Sequence, residues 1–527
     1  MLLILGVTYS GALSAQEIDT AWWDMDYIRN SDARLSSRNA SGLKYLSVSK
    51  VSTAKVFLNK SDGSFKNYHQ SDDSYDFGAT TESLYRLNQK VVLSGGISYH
   101  NFSGKNMAGS AFIDPYKNPF DLVEMNDNNK GTKNLERYQL FGEVSSSLTK
   151  KLTIGGKIDY QTANFAKTKD LRHINKLLDM HVSPGLSYTI GSKVEIGANY
   201  EYHRRIESVR FRVYGNKGEQ FFTLISYGGF YGRSELFDMY GYTSENANRP
   251  IVNITQGGAL QLAIALNKGL KLFNEFTYGK LEGYAGERGT SSVVYTEHGA
   301  TQYGYKGVLS FNTTSAGHHL TLRADYETLA NNENIYRTET SPGGGSTTVY
   351  YGQAEVFNKD ILQANVQYIG YLNVKNNQPE WTIKAGANYF NREQTTTIYP
   401  FYRDQSISSY TINLSANKNT IRGKNRYGLS LGTLYGAGDG TAKEDGLYIP
   451  PSSSQIAPKS MDLYLNQEYE YFTKPRVRAE AGFQYSRIVD KRIAPYVRLD
   501  YTLTKAFDVS YVGNNHQTIM ISVGCNF

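Results

Sequence analysis

The sequence predicts an all-β chain: an antiparallel transmembrane β-barrel of about 20 strands (roughly 16–20), with short periplasmic turns and long extracellular loops. Three observations predict it. Apolar and polar residues alternate with a period of two along most of the chain. Many alternating segments start on an apolar or aromatic residue and reach a Tyr eight residues later. The last segment ends the chain on an aromatic residue, Phe527.

Residues 1–15 are apolar or small, carry no charged side chain, and close on Ala12-Leu13-Ser14-Ala15 before Gln16. That pattern predicts a signal peptide cleaved after Ala15. No Cys follows, so a lipoprotein anchor is not indicated. Residues 16–42 are polar and contain Trp22-Trp23 and the run Arg34-Leu35-Ser36-Ser37-Arg38-Asn39. They form a periplasmic or lumenal segment that is too short for a globular plug domain.

Residues 43–527 carry the barrel pattern, with a first strand expected near 43–59. Leu152, Ile154, Gly156, Ile158 and Tyr160 alternate with Thr153, Gly155, Lys157, Asp159 and Gln161. Val477, Ala479, Ala481, Phe483 and Tyr485 alternate with Arg478, Glu480, Gly482 and Gln484. Charges keep to one register, because a Lys or Arg facing lipid at mid-bilayer costs about 2–4 kcal/mol. The eight-step pairs are Val91–Tyr99, Leu152–Tyr160, Val194–Tyr202, Leu270–Tyr278, Trp381–Tyr389, Tyr427–Tyr435 and Val477–Tyr485. Eight steps of ~3.3 Å tilted by ~40° rise about 20 Å, close to the height of an outer-membrane apolar band. The Tyr residues then form a girdle at one interface.

Short connections rich in Gly, Asn, Lys and Thr are expected at 88–90, 149–151, 191–193, 267–269, 315–317, 376–380, 417–424, 473–475 and 504–505. Long polar ones fall at 104–134, 214–249, 283–301, 331–360 and 436–459. In the final strand Ile519, Ile521, Val523, Cys525 and Phe527 share one face.

Composition narrows the function classes. Mean hydropathy is −0.49, and no run after the leader is long and apolar enough for a spanning helix. Tyr at 43 residues outnumbers Phe at 23 and Trp at 3, which suits a protein with two membrane interfaces. The net charge of +7 is dispersed, so nucleic acid is not an expected partner. The single Cys525 excludes an internal disulfide and a multi-cysteine metal site. No cofactor or metal is implied. No hydrolase, phosphate-loop or zinc-protease motif occurs, and His318-His319 point to opposite faces of a strand, so no enzyme is expected.

Two groups of residues are candidates for function. Glu468, Glu470, Arg476 and Arg478 flank one expected short turn and would meet in adjacent strands as a lumen wall or gate. Phe230, Tyr231, Phe237, Tyr240 and Tyr242 lie in an expected extracellular aromatic loop. That loop could stack on a sugar, capture an apolar solute, or pack into the barrel mouth.

The closing strand resembles those of bacterial outer-membrane barrels, whose assembly machinery reads a C-terminal strand ending on Phe. That resemblance implies outer-membrane lipids and the barrel-assembly machinery, acting at Phe527, as partners. The Tyr enrichment, Gln16, the 37–43 stretch, the Lys169-Asp170-Leu171-Arg172 turn and the closing strand resemble a family of uncharacterised Bacteroidota outer-membrane barrels. Ser37-Arg38-Asn39-Ala40-Ser41-Gly42-Leu43 is also similar to the Asn-Pro-Ala-Gly-Leu motif of fatty-acid-transport barrels, with Asn39-Ala40 in place of Asn-Pro and Ser41 inserted before Gly42. The resemblance implies a channel or transporter for a small solute. The alternative is a structural or accessory barrel partnering a receptor, a lipoprotein or a secretion apparatus.

Overall fold

Eighteen antiparallel strands form one closed barrel in the computed structural model. The structure describes residues 22–126, 129–215, 218–238, 241–245, 248–340 and 344–527; the expected leader, 1–15, and Tyr240 lie outside the described residues. The first wall strand, Lys50–Gly63, pairs with both the second, Asp73–Arg86, and the last, Asn515–Asn526, which closes the ring. The seam extends to the C-terminal residue, where Phe527 and Ser52 exchange backbone N–H···O bonds of 3.0 and 2.9 Å. Closure leaves no strand edge at the height where water is absent. The first strand starts later than the alternation suggested, because Leu43, Leu46 and Val48 pack inside the lumen.

The outer face of the wall is predominantly apolar and exposed. Leu260, Ile97 and Ile412 are 65, 57 and 58 % exposed, whereas the inward Ser145, Ser183 and Asn331 are fully buried. Among the described residues no helix is long and apolar enough to cross a membrane. The strands of the closed barrel, with their apolar outer face, are the spanning elements. Outward tyrosines meet across strands as Tyr99–Tyr138, Tyr278–Tyr303–Tyr326 and Tyr389–Tyr410, all toward the long-loop end.

The 473–475 and 504–505 connections lie at the long-loop end, not among the periplasmic turns. The reason is a 12-residue helix, Asp462–Thr473, where the sequence pattern suggested a strand. The strand Arg476–Arg487 therefore runs toward the short-turn end, and its Tyr485 sits there beside Tyr427, with ring centroids 5.5 Å apart. The Val477–Tyr485 pair thus points opposite to the other six.

The lumen is crossed at two levels. Residues 22–49 form a floor near the short-turn end, with a helix α1, Met25–Asn30, and two 3-10 turns, Ala33–Ser36 and Ala40–Tyr45. Near the long-loop end, four short strands, Asp121–Glu124, Phe222–Gly228, Tyr231–Leu236 and Lys459–Ser460, pair into a ceiling. The helix Asp462–Thr473, α2, continues that ceiling.

Candidate functional site

Three glycines of the wall position the floor. A Cβ on Gly155 would lie 2.2 Å from Ser41 N, and one on Gly185 would lie 2.4 Å from Asn39 Oδ1. A Cβ on Gly197 would lie 2.7 Å from Gln261 Oε1. The bare backbone lets residues 39–41 rest directly on the sheet. Asn39 then donates to Leu186 O (2.8 Å), Ala198 O (3.1 Å) and Gln261 Oε1 (3.0 Å). Ser37 Oγ and the Arg38 backbone N–H both donate to Glu275, at 2.6 and 2.9 Å. Ion pairs add Lys44–Glu195 at 2.6 Å, Arg38–Glu201 at 2.9 Å and Lys271–Asp32 at 3.0 Å. Arg29 also pairs with Glu82.

Asp32 is the charge hub of the floor. Burial alone would raise its carboxyl, but bonds and charge from Arg34 and Lys271 outweigh that and bring its pKa down to about 2. A depressed carboxylate contributes to folded stability above its unfolded value of about 4, and that contribution, on the order of 2 kcal/mol and shared between Arg34 of the floor and Lys271 of the wall, is lost as pH falls toward 2. Hydrogen exchange of the amides of residues 22–49 is expected to speed up in that window. Asp32→Asn is expected to remove that part of the pH response and to show the faster exchange already at neutral pH.

The ceiling is apolar on both faces. Leu122, Ile225 and Tyr227 pack with Phe112, Phe120 and the wall residues Val209, Ile251 and Phe357. On the other face Val123, Leu224 and Phe230 pack with Tyr68, Tyr464 and Leu465. Polar anchors tie it to the wall. Buried Arg403 donates to Gly229 O (3.0 Å) and Ser460 Oγ (2.8 Å) while it is held by Asp445. Tyr227 OH donates to Glu333 at 3.1 Å. Asp121 accepts from Tyr68 OH at 2.9 Å and Ser110 Oγ at 2.5 Å. Burial pushes its carboxyl up to about 6.

Between floor and ceiling lies a cavity of about 1380 Å³. One wall presents Asp159, Asp179, His181, Glu201, His203 and Arg205; the facing wall presents Arg323, Asp325, Glu327, Lys359 and Arg392. Arg38 of the floor, and Tyr116, Phe230 and Glu468 of the ceiling, complete it. His203 Nε2 lies 2.6 Å from Asp179 Oδ1, and Gln139 donates to Asp159 at 2.9 Å. Neither charge sign dominates the lining. Among the described residues no cluster of His, Cys, Asp and Glu is arranged to hold a metal ion.

The four proposed gate residues do not converge. Glu468 and Glu470 are on α2, whereas Arg476 and Arg478 are on the wall strand Arg476–Arg487. Glu468 pairs instead with Arg392 at 2.7 Å, both nearly fully buried. Glu470 accepts three backbone N–H bonds, from Ser510 (3.0 Å), Tyr511 (2.7 Å) and Val512 (3.1 Å). Arg476 donates to Phe472 O at 3.1 Å, near the end of α2, and Arg478 pairs with Glu480 at 2.8 Å. A helix turns its side chains through about 100° per residue, so carboxylates two apart do not share a face as they would on a strand. The aromatic residues behave as ceiling core: Phe230, Tyr231 and Tyr242 are buried, and Phe237 packs against the cluster that holds Tyr242. Tyr231 also sits under the Arg403 guanidinium, 4.4 Å from ring centroid to Cζ.

Sequence reasoning missed Arg392 as the partner of Glu468 and Glu275 as the anchor of the floor. Both stand in the polar register, but alternation says only that they face inward.

Residues 40–527 match the model of a family described as "Family of unknown function (DUF6850)". No curated protein matches the chain. Among solved structures it is similar to the ferric preacinetobactin receptor BauA from Acinetobacter baumannii, at 9 % identity and a TM-score of 0.42, covering 91 % of this chain and 80 % of that one. It is similar to the RagAB peptide importer in its "closed-closed" state, at 7 % identity and 0.39, covering 91 and 87 %. It is also similar to the Ralstonia pickettii toluene transporter TbuX, at 10 % identity and 0.30, covering 93 and 92 %. The match over 40–527 establishes that this chain belongs to the DUF6850 family.

Proposed function

We propose that the chain is a gated conduit for a small amphipathic solute in a bacterial outer membrane. One observation carries the reading: a solute-sized chamber of about 1380 Å³, lined by aromatic and aliphatic side chains and by charges of both signs, lies between two inserts. Compact small-molecule sites occupy roughly 300–1,000 Å³, so the chamber has room for a solute and its water. Its mixed charges favour a neutral or zwitterionic solute over a simple ion, because rings of one sign are what select ions. The floor is the movable part: it is one segment that enters no strand ladder and rests on the wall through hydrogen bonds, ion pairs and an apolar cluster of Trp23, Ile28, Leu35 and Leu43 against Val51, Leu84 and Val92. The ceiling, with its two apolar faces, is the fixed part. Barrel assembly then uses the strand ending at Phe527, and the outer face meets outer-membrane lipids. The reading assigns no enzymatic step to the chain.

A second reading, an accessory barrel that partners another envelope protein, is favoured by the same two inserts, because a lumen filled by its own chain needs no traffic. Single-channel recording decides between them. The refolded intact protein is expected to open rarely, and protein lacking residues 16–49 to conduct steadily. Silence of both forms in planar bilayers would overturn the conduit and leave the accessory reading.

A further inference from the structure

Four neighbouring hairpins at the short-turn end repeat one device. Leu87, Leu148, Ile190 and Leu266 each point outward at the strand end and are about half exposed, at 52, 54, 48 and 49 %. Two or three residues later each turn carries an exposed lysine: Lys90, Lys150 with Lys151, Lys193, and Lys268. The hairpins are consecutive around the wall, so the five ammonium groups lie along one continuous arc of the rim.

Three of the turns share one geometry. Asn88 Oδ1 accepts from the backbone of Lys90 (2.8 Å) and Val91 (2.9 Å). Thr149 Oγ1 accepts from Lys151 (3.1 Å) and Leu152 (2.9 Å). Asn267 Oδ1 accepts from Gly269 (3.0 Å) and Leu270 (2.8 Å). A polar side chain that locks its own turn holds the lysine at a repeated position relative to the apolar residue before it.

Several basic residues of the long-loop end are paired, although among the described residues Lys130, Arg337 and Lys459 there have no ion pair. At the long-loop end, Lys60 and Lys105 both pair with Asp73, Lys443 pairs with Asp462, and Arg233 pairs with Glu333. Among the described residues no carboxylate pairs with any of the five lysines of the arc. Exposed cations without partners, each beside an exposed aliphatic residue at the edge of the apolar belt, match a boundary of hydrocarbon below and phosphate above. A soluble acidic partner would not need the aliphatic half of the device.

We propose that this arc is a binding collar for anionic phospholipid headgroups of the leaflet on the short-turn side. Leu87, Leu148, Ile190 and Leu266 set its depth, and the five lysines take the phosphates. The proposal rests on the membrane placement of the barrel and is independent of the conduit.

The test uses full-length protein in nanodiscs of equimolar phosphatidylcholine and phosphatidylglycerol. Lipids retained on the protein after extraction are identified by native mass spectrometry. Wild type is expected to retain phosphatidylglycerol with about tenfold preference, and high salt is expected to abolish that preference. The variant with Lys90, Lys150, Lys151, Lys193 and Lys268 all changed to Gln should fold, judged by heat-modifiable migration, and retain both lipids equally. Lys60→Gln with Lys105→Gln, at the other end, should keep the preference. Equal retention by wild type overturns the collar alone. So does a soluble polyglutamate probe that binds wild type in phosphatidylcholine discs and is lost with the five lysines. Failure to insert in either disc overturns the membrane placement and the collar with it.

Discussion

Arg392→Ala is expected to loosen the ceiling by about 3–5 kcal/mol, the usual consequence of leaving a buried charge without its partner. Arg392 and Glu468 are 5 and 4 % exposed at the side chain and meet at 2.7 Å. Arg392 also donates to Gln405 at 3.0 Å, and Gln394 donates to the same oxygen at 2.6 Å. Glu468→Ala should cost a similar amount, because the guanidinium is then the stranded group. The paired change Arg392→Met with Glu468→Leu should restore much of the loss, since both charges leave together. Hydrogen exchange of the α2 amides is the measurement. Either single variant should speed exchange by about two to four orders of magnitude, and the pair should return toward wild type. Equal exchange in all three would show that α2 is held by its apolar face alone.

Gly155→Val is expected to lift the floor off the wall. The new side chain would occupy the space of Ser41 N and the Ala40 carbonyl carbon, 2.2 and 2.6 Å from the added Cβ. Those are backbone atoms, which a rotamer change cannot move aside. Overpacking of this kind costs about 1–3 kcal/mol where the neighbours can yield, and the floor is what can yield, because the wall is locked in its ladder. Gly185→Val should act alike through Asn39, removing the contact that ties three wall strands to one side chain. Both variants should raise channel conductance toward that of the truncated protein. Gly156→Val is the control: it faces outward, where an added Cβ meets only Val144 at 3.9 Å. Its conductance should match wild type.

The outer half of the molecule was legible in the sequence for a physical reason. Lipid on one side and polar lumen on the other impose opposite demands on successive residues, so Leu152–Lys167 or Asn515–Asn526 declares itself by alternation alone. The inner half has no such two-solvent code. Residues 462–473 alternate aromatic or aliphatic with polar residues around Glu468 and Glu470, and so imitate a strand. What makes them helical is the room inside the mouth, where Tyr464 and Leu465 reach the ceiling core and Glu468 reaches Arg392. That also moved the 473–475 connection to the other end of the barrel, and with it the pairing expected of Arg476 and Arg478. The floor was legible as a polar segment ahead of the first strand. Its seat was not, because the information lies in Gly155, Gly185 and Gly197, which an alternation count treats as neutral.

The ceiling strands come from three separate stretches, near 121, 222–236 and 459, and the last joins the sheet by pairing with Tyr231 and Gly232. During biogenesis the roof therefore cannot be finished until all but the final three wall strands have been made. Contacts spanning more than two hundred residues form late, because the intervening chain must first be ordered. While the wall curls, the mouth stays open and water can leave the hydrophobic surfaces that will become the roof. The completed roof then ties distant parts of the circumference together, as a spoke does in a rim. A tube of single-layer sheet flattens easily under lateral pressure; one braced across its diameter keeps a round section and a chamber of constant volume.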